Sequence, residues 1–180
     1  MKLEKTLICL FVIGVIMKFT HVPMAGATMT VSATALSLLY LGFSWWLLQD
    51  KGERRKRVPL SVITGILFSV APLAVLFKLQ YWPGAGLMLL VSFTYCSILL
   101  LIMMLKQRMA SMDANRYNNR IIVRAGIFAV LCSVLYLTPW RALLRLQHRD
   151  NPQEADIRAD YYAHPENEEY KRRFMELNNR

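Results

Sequence analysis

Apolar residues run along this chain in long blocks, divided by short polar stretches. The blocks fall at about Thr6–Phe19, Ala25–Leu48, Val58–Phe77, Gly84–Leu105 and Ile121–Thr138. The first is the shortest, but all approach the ~20 residues an α-helix needs to cross a ~30 Å hydrocarbon core. No period-2 alternation runs through them, which argues against a membrane barrel. A helix satisfies its own backbone in lipid, so the pattern predicts a helical bundle. The expected fold is an all-α membrane protein with five transmembrane helices and a short helical C-terminal tail. Its parts are a first hairpin over 1–48, a loop over 49–59, a second hairpin over 60–105, a loop over 106–120, a fifth span over 121–138 and a charged tail over 139–180.

Composition agrees with the pattern. With 55% hydrophobic residues in 180, the chain is too apolar for an ordinary soluble domain. The net charge of +10 raises the question of nucleic acid, but its placement answers it. From Arg141 onward acids and bases balance, so the excess lies in the membrane part. There it gathers in two connections, one holding Lys51, Arg54, Arg55, Lys56 and Arg57, the other Lys106, Arg108, Arg116 and Arg120. The connections at Thr20–Met24 and Leu79–Pro83 carry no Lys or Arg. This bias predicts a multi-pass membrane protein with the N-terminus and both basic loops in the cytoplasm, and the tail on the outer side. The bilayer is the expected partner, and nucleic acid is not. All acids are expected outside the spans.

A repeat adds more. Shifting the chain by sixty residues aligns Ile16–Gly26 with Leu76–Gly86 without a gap. From Leu7/Leu67 to Leu41/Leu101, twelve of thirty-five positions are identical, including Lys18/Lys78, Pro23/Pro83, Ala25/Ala85 and Gly26/Gly86. Each copy reads as helix, lysine, turn, helix. Both turns fall on the same side, so the first four helices form two parallel-repeat hairpins. Ala25-Gly26-Ala27 after a short apolar run also fits signal-peptide cleavage. The internal recurrence of the same arrangement favours retention.

The turns have a physical logic. Pro23 and Pro83 donate no backbone hydrogen bond and push the preceding residue out of helical geometry. Gly26, Gly84 and Gly86 add conformational freedom. Tyr81 and Trp82 fit an outer aromatic belt, as Trp45 and Trp46 fit an inner one. Lys18 and Lys78 sit one helical turn before the connections. They serve either as interfacial snorkelling anchors or as buried lysines in a polar network between helices.

Lys78-Leu-Gln-Tyr-Trp-Pro-Gly-Ala-Gly resembles the N-terminal membrane hairpin of GldL-type subunits, the inner-membrane motor proteins of gliding motility and type IX secretion. The likeness covers about a dozen residues. The first copy keeps Lys18, His21, Pro23 and Ala25, with Val22 in place of tryptophan. The resemblance implies a hairpin fold and an inner-membrane address. In that family the second hairpin helix carries a glutamate, whereas Val91–Cys96 contains no acid.

Two sets of small residues recur at helical spacing: Ser61, Gly65 and Ser69, and Ala125, Ala129 and Ser133. Such faces let helices approach closely, either within the bundle or against a partner. Pro72 is expected to bend the third span. Arg124 is expected to snorkel toward the inner side. In the tail, Ala142–Gln147 suits a membrane-surface helix, and helix starts are expected at Asn151-Pro152 and His164-Pro165. Tyr170, Phe174 and Leu177 then share a face that docks on the bundle, docks on another protein, or stays partly folded.

No motif for catalysis, metal or cofactor binding is present. Cys9, Cys96 and Cys132 lie in apolar spans without metal-site spacing, and the histidines are scattered. The expectation is a non-catalytic inner-membrane subunit or scaffold, working with a membrane-protein partner or as a homo-oligomer. The alternative is a small transporter or ion-conducting component that uses Lys18, His21 and Lys78.

Overall fold

The computed structural model describes residues 2–48, 58–108, 112–149 and 151–178. The described residues form helices α1 (Lys2–Phe19), α2 (Ala25–Leu48), α3 (Val58–Leu79), α4 (Ala85–Arg108), α5 (Met112–Leu137), α6 (Trp140–Gln147), α7 (Pro152–Ala163) and α8 (Glu168–Asn178), with no strand among them. Four stretches are long and apolar enough to cross a bilayer: Ala25–Ser44, Ser61–Leu79, Ala85–Arg108 and Asn118–Leu137. Large apolar side chains on their outward faces, such as Leu87, Leu101 and Val130, stay exposed, as lipid-facing residues do. The chain is therefore an all-helical membrane protein with at least these four candidate spans.

The fifth expected span, α1, stands apart. It carries Lys2, Glu4, Lys5 and Lys18 within 18 residues, too many charges to match the other four. It also packs differently. α2, α3, α4 and α5 enclose a common core, with Phe68, Cys96 and Met103 toward one end and Met29, Leu89 and Cys132 toward the other. α1 lies outside that group against α2. There Gly14 permits a close crossing, because a Cβ at that position would meet Met29 Cγ at 2.8 Å.

The seam between α2 and α3 is tighter still. Ser61, Gly65 and Ser69 all face inward. A Cβ on Gly65 would fall 2.0 Å from Ser44 Cβ and 2.5 Å from the Tyr40 carbonyl oxygen. Next along the seam the Ser37 hydroxyl donates to the Ser69 carbonyl at 2.7 Å. The small residues of α3 are thus spent inside the bundle. On α5 the buried stripe runs Ile121, Ala125, Ala129, Cys132. Ser133 lies beside that stripe and is only half-buried, so the expected third member of the set is replaced by Cys132.

Several expected boundaries move. Residues 106–120 are not a loop of fifteen residues: α4 continues to Arg108 and α5 begins at Met112. Hydropathy falls at the membrane edge, but nothing in Asp113–Arg120 breaks a helix, so α5 extends beyond its apolar part. α3 continues as one helix through Pro72, whereas α2 is interrupted at Phe43 (φ −119°, ψ 16°), next to the tight Ser44–Gly65 contact. The basic stretch 49–57 and the side chains of Trp45, Trp46 and Arg116 lie outside the described residues.

Candidate functional site

The sixty-residue repeat is reproduced bond for bond at the hairpin turns. His21 and Tyr81 both adopt left-handed backbone (φ 55° and 60°), as do Met24 and Gly84 (φ 70° and 82°). In the first turn Val22 N–H donates to Met17 O at 2.9 Å and His21 N–H to Lys18 O at 3.3 Å. In the second, Trp82 N–H donates to Phe77 O at 2.9 Å and Tyr81 N–H to Lys78 O at 3.3 Å. This is a left-handed C-terminal cap, in which two bonds satisfy helix carbonyls that would otherwise be orphaned. The apolar contact that accompanies such caps is Trp82 edge-on to Phe77, with ring centroids 4.9 Å apart. Pro23 and Pro83 follow each cap and keep the first helix from continuing.

These turns hold each other. Lys18 donates from Nζ to the Leu79 carbonyl and lies 4.5 Å from the Tyr81 ring centroid. Gln80 Nε2 donates to the Gly26 carbonyl at 2.9 Å, beside the entry to α2. The 3.3 Å approach of Gln80 to a Cβ on Gly26 shows why this position is small. Gly86 faces open space, so its identity with Gly26 is not required by packing. Lys78 is 5% exposed, and its Nζ stands 4.1 Å from the Trp140 ring centroid. Both lysines therefore turn into the protein and meet aromatic faces, an attraction that strengthens away from water. Lys78 is buried and Lys18 half-buried.

The tail builds on that platform. Asn151 caps α7 by accepting from Glu154 N–H at 3.3 Å, with Pro152 at the first turn as expected. α8 departs from the expectation: Pro165 sits in the preceding turn, and Asn167 accepts from Glu169 N–H at 3.0 Å. Leu143 and Leu144 of α6 are buried against protein, leaving Leu146 exposed, so α6 is a docked helix as much as a surface one. Tyr81 organises the contact. Its hydroxyl donates to Gln147 Oε1 at 2.8 Å, and its ring stacks on Tyr162 at 5.5 Å. Burial drives the Tyr81 phenol well above its ordinary pKa, so it stays a neutral donor. His21 meets His148 at 5.9 Å between centroids. Phe174 of α8 stacks on Tyr161 at 4.4 Å, so α8 reaches the bundle through α7 and not directly.

At the opposite end lies a group that the hydropathy pattern hid. Glu4 is 6% exposed, inside α1 and not in a flank before it. Its carboxylate accepts from Arg124 Nε at 2.9 Å, from Arg124 Nη2 at 2.8 Å and from the Tyr40 hydroxyl at 2.7 Å. Arg124 thus reaches toward α1 and does not merely snorkel. Glu4 lies just before the apolar block that begins at Thr6, yet it belongs to α1 and is buried. A usable signal existed: Arg124 is an arginine within an apolar block, and such a charge demands a named partner.

Between the two polar ends the interior is apolar and aromatic, with Phe68 5.6 Å from Phe128 and 5.8 Å from Tyr40. Among the described residues no three His, Cys, Asp or Glu side chains are grouped to hold a metal ion. What these sites provide is attachment: a latch at each end of α1, and a seat for the tail at the turns. The class this defines is a membrane-embedded helical bundle carrying a docked helical cap. No family model, curated protein or solved structure matches the chain.

Proposed function

We propose that the protein is a non-catalytic inner-membrane subunit or scaffold, built from two hairpins like those of GldL-type subunits. The observation that carries this reading is how the repeat's polar residues are used. Lys18 is engaged by the second turn and Lys78 lies under the tail's Trp140, so neither lines an open path. The aromatic layer of Tyr40, Phe68 and Phe128 separates the two polar ends, which weighs against an ion-conducting component. In this reading α1 crosses the membrane as a fifth, peripheral span. Lys2, Lys5, Lys106, Arg108 and Arg120 then gather on the cytoplasmic side, and the cap of α6–α8 on the periplasmic side.

Isolation of the native protein in mild detergent, with mass spectrometry of whatever remains bound, tests the proposal. A stoichiometric membrane-protein partner, lost when Lys18 and Lys78 are both replaced by leucine, is the expected result. Isolation as a lone monomer, with ion flux in proteoliposomes that disappears in the same double variant, would overturn it.

A further inference from the structure

α1 is held away from most of the bundle. Among the described residues no Cα of α1 comes within 8 Å of one in α3 or α5, although both helices face it. The space between is a slot of about 660 Å³, walled by residues such as Phe11, Val15, Pro72, Phe128 and Leu131. Two side-chain bridges fix its width. Glu4–Arg124 ties α1 to α5 at one end, and Lys18 ties α1 to the Leu79 carbonyl of α3 at the other. A gap spanned by one lysine side chain at one end and by a Glu–Arg pair at the other is too narrow to admit another helix, roughly 10 Å across. Its length along α1, from Lys5 to Phe19, is about 21 Å at 1.5 Å per residue. That exceeds one leaflet of the hydrocarbon core, about 15 Å. Water gains nothing in an apolar slot within the bilayer, and an empty one forfeits contacts along its whole wall.

Charge names the head group. Glu4 is fully engaged by Arg124 and Tyr40, so its charge is compensated. Lys5 lines the mouth of the slot at that end and, among the described residues, makes no ion pair. We propose that the slot holds one acyl chain of an anionic glycerophospholipid whose phosphate sits at Lys5. The lipid would act as a wedge, filling the contact that α1 does not make with α3 and α5. This inference rests on α1 crossing the membrane, as proposed above, and is otherwise independent of the subunit reading.

Native mass spectrometry of the full chain, released from detergent with equimolar phosphatidylglycerol and phosphatidylcholine of the same acyl composition, tests it. One phosphatidylglycerol per chain is expected to stay bound. Leu131→Trp, which fills the slot, should weaken retention about tenfold, the loss expected if roughly two methylenes are excluded. Leu101→Trp, on the exposed face of α4, should leave retention unchanged. Lys5→Gln should keep a lipid bound but lower the preference for phosphatidylglycerol about fivefold, the worth of one basic residue near an anionic surface. If Leu131→Trp loses its helical circular dichroism, Ile127→Phe fills the same slot more gently and reads the same outcome. Equal retention of the two lipids by the unaltered protein, unchanged retention in a folded slot-filling variant, or a protein segment found in place of lipid would overturn the proposal.

Discussion

Replacing Glu4 by leucine should release α1 from the bundle while leaving α2–α5 folded. The carboxylate receives three hydrogen bonds, two of them from Arg124, and the side chains of the pair are 7% and 15% exposed. Hydrogen bonds to a charged group contribute roughly 1.5–3 kcal/mol. Removing one partner of a buried pair also strands the other charge, bringing the cost to about 3–5 kcal/mol. Arg124 retains some exposure and can bend toward the membrane edge, so the lower part of that range, about 3 kcal/mol, is the expected loss. The effect should fall on α1 above all, because among the described residues its helix neighbours within 8 Å are α2 and α6 alone.

The assay is a double-mutant cycle on unfolding titrated in mixed micelles, with amide exchange followed over α1. Glu4→Leu and Arg124→Leu should each destabilise. The double variant should recover much of the loss, because an apolar pair can replace a buried ion pair at little net cost. A coupling energy of roughly 1–3 kcal/mol is expected, within the range for residues in one network. Single variants that each cost under ~0.5 kcal/mol and simply add, with α1 amides still protected, would refute the latch.

Other consequences are sharper in sign than in size. Gly65→Ala should destabilise by more than the usual ~1–3 kcal/mol of overpacking, because the Tyr40 carbonyl 2.5 Å from the new Cβ belongs to backbone and cannot rotate away; Ser44→Gly should rescue it only in part, as thermal unfolding would show. Met24→Gly should stabilise by roughly 1 kcal/mol and Gly84→Ala destabilise by as much, since both positions have positive φ and only one holds glycine; a Met24→Gly that melts earlier would count against the shared turn. Trp140→Ala should cost about 0.5–2 kcal/mol by uncovering Lys78, and the amides of α6 should exchange faster. For His148, burial lowers the pKa, Glu154 opposes this, and Arg158, His21 and Lys18 reinforce it. The unfolded tail then binds the proton more readily, so docking is fully present above the ordinary value near 6.5 and is lost as pH falls through it toward the lower folded value. Exchange over α6 and α7 should rise below that pH, and His148→Gln should flatten the profile.

Much of the fold was legible because lipid imposes one rule on every span. Apolar length located α2 to α5, and the repeat predicted that two turns sixty residues apart would share one geometry. The left-handed residues at those turns were harder to foresee, since His21 and Tyr81 are not glycines and only the pattern of capping bonds reveals why they tolerate positive φ. Glu4 was hidden by its neighbours. Between Lys2 and Lys5 it reads as a flank, and its partner lies 120 residues away in sequence. Distances of that kind come from packing: which helix lies beside α1 is decided by Gly14 against Met29, not by any periodicity within α1.

The repeat also shows how identical residues come to do different work. Lys18 and Lys78 leave equivalent helices at equivalent points, and each reaches a segment further along the chain. Lys18 meets the second turn at Leu79 and Tyr81, and Lys78 meets Trp140 at the start of the tail. Because both hairpin turns lie at the same end of the bundle, both lysines emerge where the second turn and the start of α6 also lie. The positions that differ between copies complete the asymmetry. Gln80, where the first copy has Thr20, reaches back to Gly26, and Tyr81, where the first has His21, receives α6 and α7. The shared lysines therefore make a junction from each copy, while the diverged Gln80 and Tyr81 decide what else the second turn is joined to.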